Sequence, residues 1–155
     1  LVGVIYPDND RVRYVYGSGS YIERIDGGAG GRVVLASAEH EATGQVRSLR
    51  FGNGTETIYA YDRSDRLIEI ETRSPSGDVL LSHTLSYDPA SNVIGIDDGR
   101  STADVPADSP RRVSVSYEYD DLHRLVRARY GSSDGSGIAR GEIEYEHDAI
   151  GNLLA

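Results

Sequence analysis

Four histidines, 25 acids and 11 tyrosines hold most of the reactive chemistry of this 155-residue chain, so their spacing is weighed first. His40, His83, His123 and His147 never stand at the His-x-x-x-His interval that presents two imidazoles to one zinc ion. Asp8-Asn9-Asp10 and Asp97-Asp98 gather carboxylates in the manner of a calcium loop, but neither runs on through alternating ligands to a distal Glu. Gly27-Gly28-Ala29-Gly30-Gly31 has the composition of a phosphate cradle. Strand-like Arg32-Val33-Val34-Leu35 follows it where a helix N-terminus is needed, and it lacks the Asp of a calcium-binding nonapeptide. Paired carboxylates for glycoside hydrolysis require a fixed separation, which abundance of acids does not supply. A Ser-His-Asp arrangement has no local support. Every basic residue is Arg, which removes Schiff-base lysines and the P-loop lysine, and the absence of Cys removes thiolate chemistry and disulfides. No catalytic, cofactor-binding or metal-ligating residue is therefore assigned, and the expectation is a protein that is not an enzyme.

What does recur is a seven-residue figure: an aromatic or His, usually an acid, a short turn, a polar residue, then Val or Leu. Its copies run Tyr6 to Val12, His40 to Val46, Tyr61 to Leu67, Tyr87 to Val93, Tyr119 to Leu125 and His147 to Leu153, starting 34, 21, 26, 32 and 28 residues apart. Repeats at roughly 20–50 residues mark arrays of one supersecondary unit. In second place stand Asp62, Asp88, Asp120 and Asp148, short carboxylates able to bond the backbone two residues on and start a turn; Pro7 and Glu41 replace them in the first two copies. The fifth place holds Gly44 and Gly151, for which positive φ is free of steric cost, but Asp10, Asp65, Ser91 and His123 elsewhere, so four copies are expected to bear that cost.

Between the figures the chain alternates with period two. Val113, Val115, Tyr117 and Tyr119 interleave with Ser114, Ser116 and Glu118, and Ile143, Tyr145 and His147 with Glu142, Glu144 and Glu146, which predicts strands with one packed and one solvated face. Leu67-Ile68, Val93-Ile94, Leu125-Val126 and Leu153-Leu154 put apolar residues on successive positions, predicting a sheet covered on both sides there. Ala36 to Ala42 is the best helical candidate, yet Val33 to Leu35 before it and the turn at Gly44 favour a strand. Asp26 to Gly31, Asp98 to Arg112 and Gly131 to Arg140 read as surface connections, the middle one a mobile excursion. The tyrosines follow the repeat, so each ring is expected to pack on a neighbouring hairpin with its hydroxyl on water or backbone. Lone hairpins are marginal in water, so the units must stabilise one another.

Tyr-Asp-x-x-x-Arg-Leu and Tyr-Asp-x-x-x-Asn-Val, together with Phe51-Gly52-Asn53-Gly54 ahead of a Tyr-x-Tyr-Asp, resemble the YD repeats of the Rhs family, shared with teneurins and the C-type components of insecticidal toxin complexes. The missing Gly at four fifth places and His at His40 and His147 depart from that pattern. The resemblance implies an all-β fold, a tandem β-hairpin array forming a curled antiparallel sheet, with residues 1–155 as one array of six corners. It implies a non-enzymatic wall of a secreted or cell-surface bacterial shell around a C-terminal toxic domain. No sequence here matches the family's self-cleaving aspartyl centre, so no catalytic residue is transferred.

Two other functions fit the same residues. The chain opens within the strand-like Leu1 to Tyr6 and ends just past its last corner, so flanking repeats or another copy are expected to complete its open edges, which suits a fibre or adhesion protein. Exposed tyrosines would alternatively make a carbohydrate-binding module. A net charge of -9 argues against nucleic acid, and no apolar run approaches the ~18 residues of a membrane span.

Overall fold

The computed structural model describes residues 2–28, 33–106, 109, 111–112, 114–131 and 139–154, and among them there are strands and turns but no α-helix. Its contacts group the chain into two compact units, Leu1–Leu80 and Leu81–Ala155, each a run of antiparallel hairpins. The first carries β1 (Gly3–Ile5), β2 (Arg11–Tyr16), β3 (Ile22–Gly27), β4 (Val33–His40), β5 (Val46–Phe51), β6 (Glu56–Tyr61) and β7 (Leu67–Arg73), each paired with the strand before it. β8 (Val79–Tyr87) begins at the end of that unit, and the second continues with β9 (Val93–Asp98), β10 (Ser114–Tyr119), β11 (Leu125–Gly131) and β12 (Ala139–Glu144), paired in chain order. A short hairpin, β13 (Glu146–His147) with β14 (Leu153–Leu154), closes the chain. The alanines of 36–42 lie mostly in β4. Of the connections expected over Asp26 to Gly31 and Gly131 to Arg140, Asp26, Gly27, Gly131, Ala139 and Arg140 belong to strands, and 29–32 and 132–138 fall outside the described residues.

Register sorts side chains by chemistry. In the first unit Tyr14, Ile25, Ala36 and Phe51 stand opposite one another along one row, and Ala38, Leu49, Thr57 and Thr72 along another. The row between them is polar: Arg24, Ser37, Arg50, Glu56 and Arg73. The second unit repeats the scheme, with Leu85, Ile96, Val115 and Tyr130 in one row and Ser86, Gly95, Ser116, Arg129 and Glu142 in the next. On the polar side Arg127 pairs with Glu118 and Glu144 at 2.8 Å each, and Arg129 with Glu142 at 2.5 Å and with Glu118. Cross-strand partners of opposite charge each add about 0.2–1 kcal/mol.

Burial is thin. Among the described residues only Val105 and Ala128 are buried apolar side chains, at 6% and 1% exposure. The apolar doublets that predicted cover on two sides are half-exposed or exposed, with Ile94 at 39% and Leu153 at 60%. The register explains three of the four, all but Leu153-Leu154, which pairs without a shift. Tyr61 faces Leu67 while Ala60 faces Glu69, so Ile68 is one residue too many for its partner; Val126 and Ile94 occupy the same position beside Tyr119 and Tyr87. These are β-bulges, which reset the alternation and allow two neighbouring apolar residues without a second covered face.

Candidate functional site

The corners of the array form the most regular constellation in the molecule. In five of the six, the second-place amide donates to the sixth-place carbonyl and the fifth-place amide to the second-place carbonyl. Asp62 N to Arg66 O and Asp65 N to Asp62 O, 2.9 and 3.1 Å, are one pair, and Glu41–Gln45, Asp88–Asn92, Asp120–Arg124 and Asp148–Asn152 repeat it. This is the bonding of a three-residue hairpin loop, whose last residue is left-handed. Asp65, Ser91 and His123 adopt φ of 61°, 70° and 60°, and Gly44 and Gly151 91° and 92°. First- and seventh-place residues stand directly opposite: His40 with Val46, Tyr61 with Leu67, Tyr87 with Val93, Tyr119 with Leu125, His147 with Leu153.

The second-place carboxylate is a clasp. Asp120 Oδ1 accepts from Leu122 N and Arg124 N at 2.9 and 3.0 Å, and Oδ2 from Arg124 Nε at 2.7 Å. Asp62 does the same with Ser64 and Arg66. Asp88 is held by the amide and side chain of Asn92, and Asp148 by Ile150 and Asn152. Backbone donation from Arg66 and from Arg124 is the main cause holding Asp62 and Asp120 below the usual carboxylate range; for Asp88 and Asp148 it is the side-chain amide of Asn92 and of Asn152. The sixth place is therefore Arg or Asn wherever the second is Asp, because both side chains bring a donor back to Oδ2.

Tyrosine ties corner to corner. Tyr61 Oη donates to Val46 O and Tyr119 Oη to Val93 O, both at 2.8 Å, so each hydroxyl reaches the seventh residue of the preceding corner. Burial pushes both phenols above the usual tyrosine range and favours the protonated, donating form. In the His40 corner the ring stacks on Tyr21 instead, with centroids 5.0 Å apart and planes 23° off parallel.

One assignment changes. In the Tyr6–Val12 copy it is Asn9, not Asp10, that is left-handed (φ 67°), and the closing bonds are Tyr6 N to Asp10 O and Asn9 N to Tyr6 O. Val12 faces Val4 and not Tyr6. Pro7 has no N–H to donate at the second place, so the turn slides back by one residue. It matches Phe51–Thr55, closed by Phe51 N to Thr55 O with Gly54 left-handed, and it lies at the strand ends opposite the other first-unit figures. Their true predecessor is Tyr16–Ile22. Gly17 N donates to Tyr21 O, Ser20 is left-handed at 62°, and Tyr16 faces Ile22. Gly17 for Asp and Tyr21 for Arg or Asn disguised it; an aromatic six residues before Ile, 24 residues ahead of His40, was the available signal.

His83 is half-buried in β8, and no group of three or more His, Asp or Glu suited to a metal occurs among the described residues. Asp8 and Asp88-type turn acids bond their own loops, as Asp8 Oδ1 does with Asp10 N at 3.1 Å. The Asp98–Arg112 excursion is anchored where the sequence suggests mobility. Buried Arg112 donates to Asp98 O at 2.9 Å, to Val105 O at 2.7 Å and to Arg100 O, while Arg100 Nη2 binds Asp98 at 2.5 Å. An apolar depression of about 350 Å³ beside Tyr21 and His40 is lined by Ile22, Ile25, Ala36, Ala38, Val46 and Leu49.

Compared with known proteins, residues 40–79 match the family model described as RHS Repeat. The chain is similar to the Photorhabdus luminescens Tc holotoxin pore bearing a TccC3 mutation, with TM-score 0.79 and 24% identity over 99% of this chain and 8% of that one. It is similar to TcdB2-TccC3-TEV, with TM-score 0.70 and 27% identity over 83% of this chain and 6% of that one. To TcdB2-TccC3 without its hypervariable C-terminal region the TM-score is 0.65 and the identity 29%, over 77% of this chain and 6% of that one. The chain thus spans less than a tenth of the length of each. No curated protein matches its sequence.

Proposed function

We propose, from the premise that this chain is a YD-repeat array of the Rhs family, that it is a stretch of wall in a toxin-complex-like shell, enclosing or scaffolding a C-terminal toxic domain without catalysis of its own. The observation that carries the reading is the likeness to TcdB2-TccC3 without the hypervariable C-terminal region, at 29% identity: the resemblance lies in the part that does not vary with the passenger. The corner acids fit the same role. Their oxygens are occupied by turn amides and their protons are held too loosely for general-acid work near neutrality. Flanking repeats would pair with β1 and β12, each of which has one strand neighbour among the described residues. A wall of this kind belongs to a secreted or cell-surface polypeptide.

Limited proteolysis of the parent polypeptide tests the reading. The C-terminal region should resist digestion while the wall is intact and become cleavable in an Asp120→Ala/Asp148→Ala variant, with the released domain's own activity unchanged. Equal digestion in both would overturn it.

A further inference from the structure

Within each unit, successive corners touch through the same place. Tyr21, sixth in its corner, stacks on His40, and its hydroxyl lies where any side chain on Gly44 would fall. Gln45 Nε2 donates to Asp65 O at 2.7 Å, Asn92 Nδ2 meets His123 Nδ1 at 3.0 Å, and Arg124 Nη1 donates to Asp148 O at 3.2 Å. A phenol ring, two carboxamides and a guanidinium share only their position and direction. Asn92 shows how one group serves two corners. The atom facing Asp88 Oδ2 at 2.8 Å must be the amide nitrogen, since a carboxylate only accepts, and its second hydrogen then points to His123. In this contact His123 Nδ1 accepts, which selects the tautomer that carries its proton on Nε2.

From this geometry we infer that the sixth-place side chain is a register key, a positioning residue that fixes where the following corner sits. A meander of similar hairpins needs one. A slip of one residue turns every apolar side chain to the wrong face, but a slip of two preserves the alternation and goes unpunished by the faces. It would carry the corner roughly 7 Å along the strand, which breaks a contact of 3 Å outright. The key reads forward, whereas the tyrosine hydroxyl reads backward to the seventh-place carbonyl, so Tyr119–Leu125 is bracketed from both sides, by Tyr119 on Val93 O and by Arg124 on Asp148 O.

Amide hydrogen exchange on the 155-residue chain tests the direction. Gln45→Ala should speed exchange at Asp62 and Asp65 by about five-fold, the worth of one net hydrogen bond, while Gly17 and Ser20 of the preceding corner stay as they were. Gln45→Glu, which keeps the bulk and loses the donor, should act the same way. In the second unit Asn92→Leu should move the Nδ1 resonance of His123, because the ring loses the donor that fixes its tautomer. Exchange that quickens only within 41–45, or equally in the corner before it, would overturn the inference, as would an unmoved His123 resonance in a folded Asn92→Leu chain. Should that variant fail to fold, the two Gln45 variants decide.

Discussion

The corner Asp120–Arg124 and the excursion Asp98–Arg112 both reverse the chain between adjacent strands of the second unit, yet they are held in opposite ways. In the corner every bond of the clasp spans two or four residues. In the excursion one guanidinium, only 3% exposed, gathers carbonyls seven, twelve and fourteen residues away. Lengthening a loop adds little closure entropy, but the order of the longer connection rests on two guanidinium groups, Arg112 and Arg100, the latter bonding Asp98 and reaching Arg111 O at 2.5 Å, where the corner shares the task among several local bonds. A corner therefore loosens by degrees, and the excursion is held or released as a whole.

The largest expected effect follows from that contrast. Arg112→Ala leaves three carbonyls and part of the Asp98 environment unsatisfied in a buried setting and should destabilise the second unit by about 3–5 kcal/mol, the usual range for removing one member of a buried pair. Urea unfolding followed by a probe in the second unit measures it; a loss below about 1 kcal/mol would place the excursion among surface loops after all. Next comes Gly44→Ala. At φ +91° a side chain costs about 1–2 kcal/mol, and the new Cβ would lie 2.2 Å from the Tyr21 hydroxyl, displacing the stack on His40. The reverse change at an equivalent place, Asp65→Gly, should fall within about 0.5 kcal/mol of neutral, since relief of the left-handed strain is offset by the entropy of glycine in the unfolded chain. Similar losses at both sites would mean that the left-handed place is not what distinguishes them.

The same contrast sets what the sequence discloses. Asp62, Asp88, Asp120 and Asp148 are legible as turn acids because their partners lie within four residues, and the pairing of Tyr61 with Leu67 follows from the figure's fixed length. Arg112 is not legible, since nothing near it in the chain shows that it will meet Val105 and Asp98. The apolar doublets mislead for a related reason: Leu67-Ile68 looks like a strand covered on both faces until the partner strand's count shows a bulge. Tyr6–Val12 misleads through Pro7, whose missing N–H moves the turn by one residue, and the corner at Tyr16–Ile22 escapes notice because the backbone tolerates Gly17 where the pattern asks for Asp.

A smaller effect probes the links between corners. Tyr119→Phe removes one hydroxyl donor from Val93 O and should cost about 1 kcal/mol, read as a shift in the urea midpoint without a change in slope. The same change at Tyr61, whose hydroxyl serves Val46 O, should match it. A null result at both would show that water replaces the phenol freely and that the rings alone hold successive corners together.

The smallest effect per residue is the response to acid, and its sign is fixed by the corners. Turn amides and the Arg or Asn of the sixth place hold Asp62, Asp88, Asp120 and Asp148 below the usual carboxylate range. A carboxylate whose folded value lies below its unfolded one contributes stability that is present above the unfolded value, about 3.9, and is lost as pH falls through the lowered folded value. Asp98 adds to the same window: burial raises it, but the bonds from Arg100 outweigh burial and the net displacement is downward. The unfolding midpoint should therefore stay level from neutrality to about pH 5 and decline below about pH 4, with added salt softening the decline because the corner acids face water. Asp120→Asn, which cannot titrate, should flatten its share of that slope and leave the Arg112 knot untouched. A midpoint that already falls between pH 7 and pH 5 would trace the response to other groups and strip the corner carboxylates of this role.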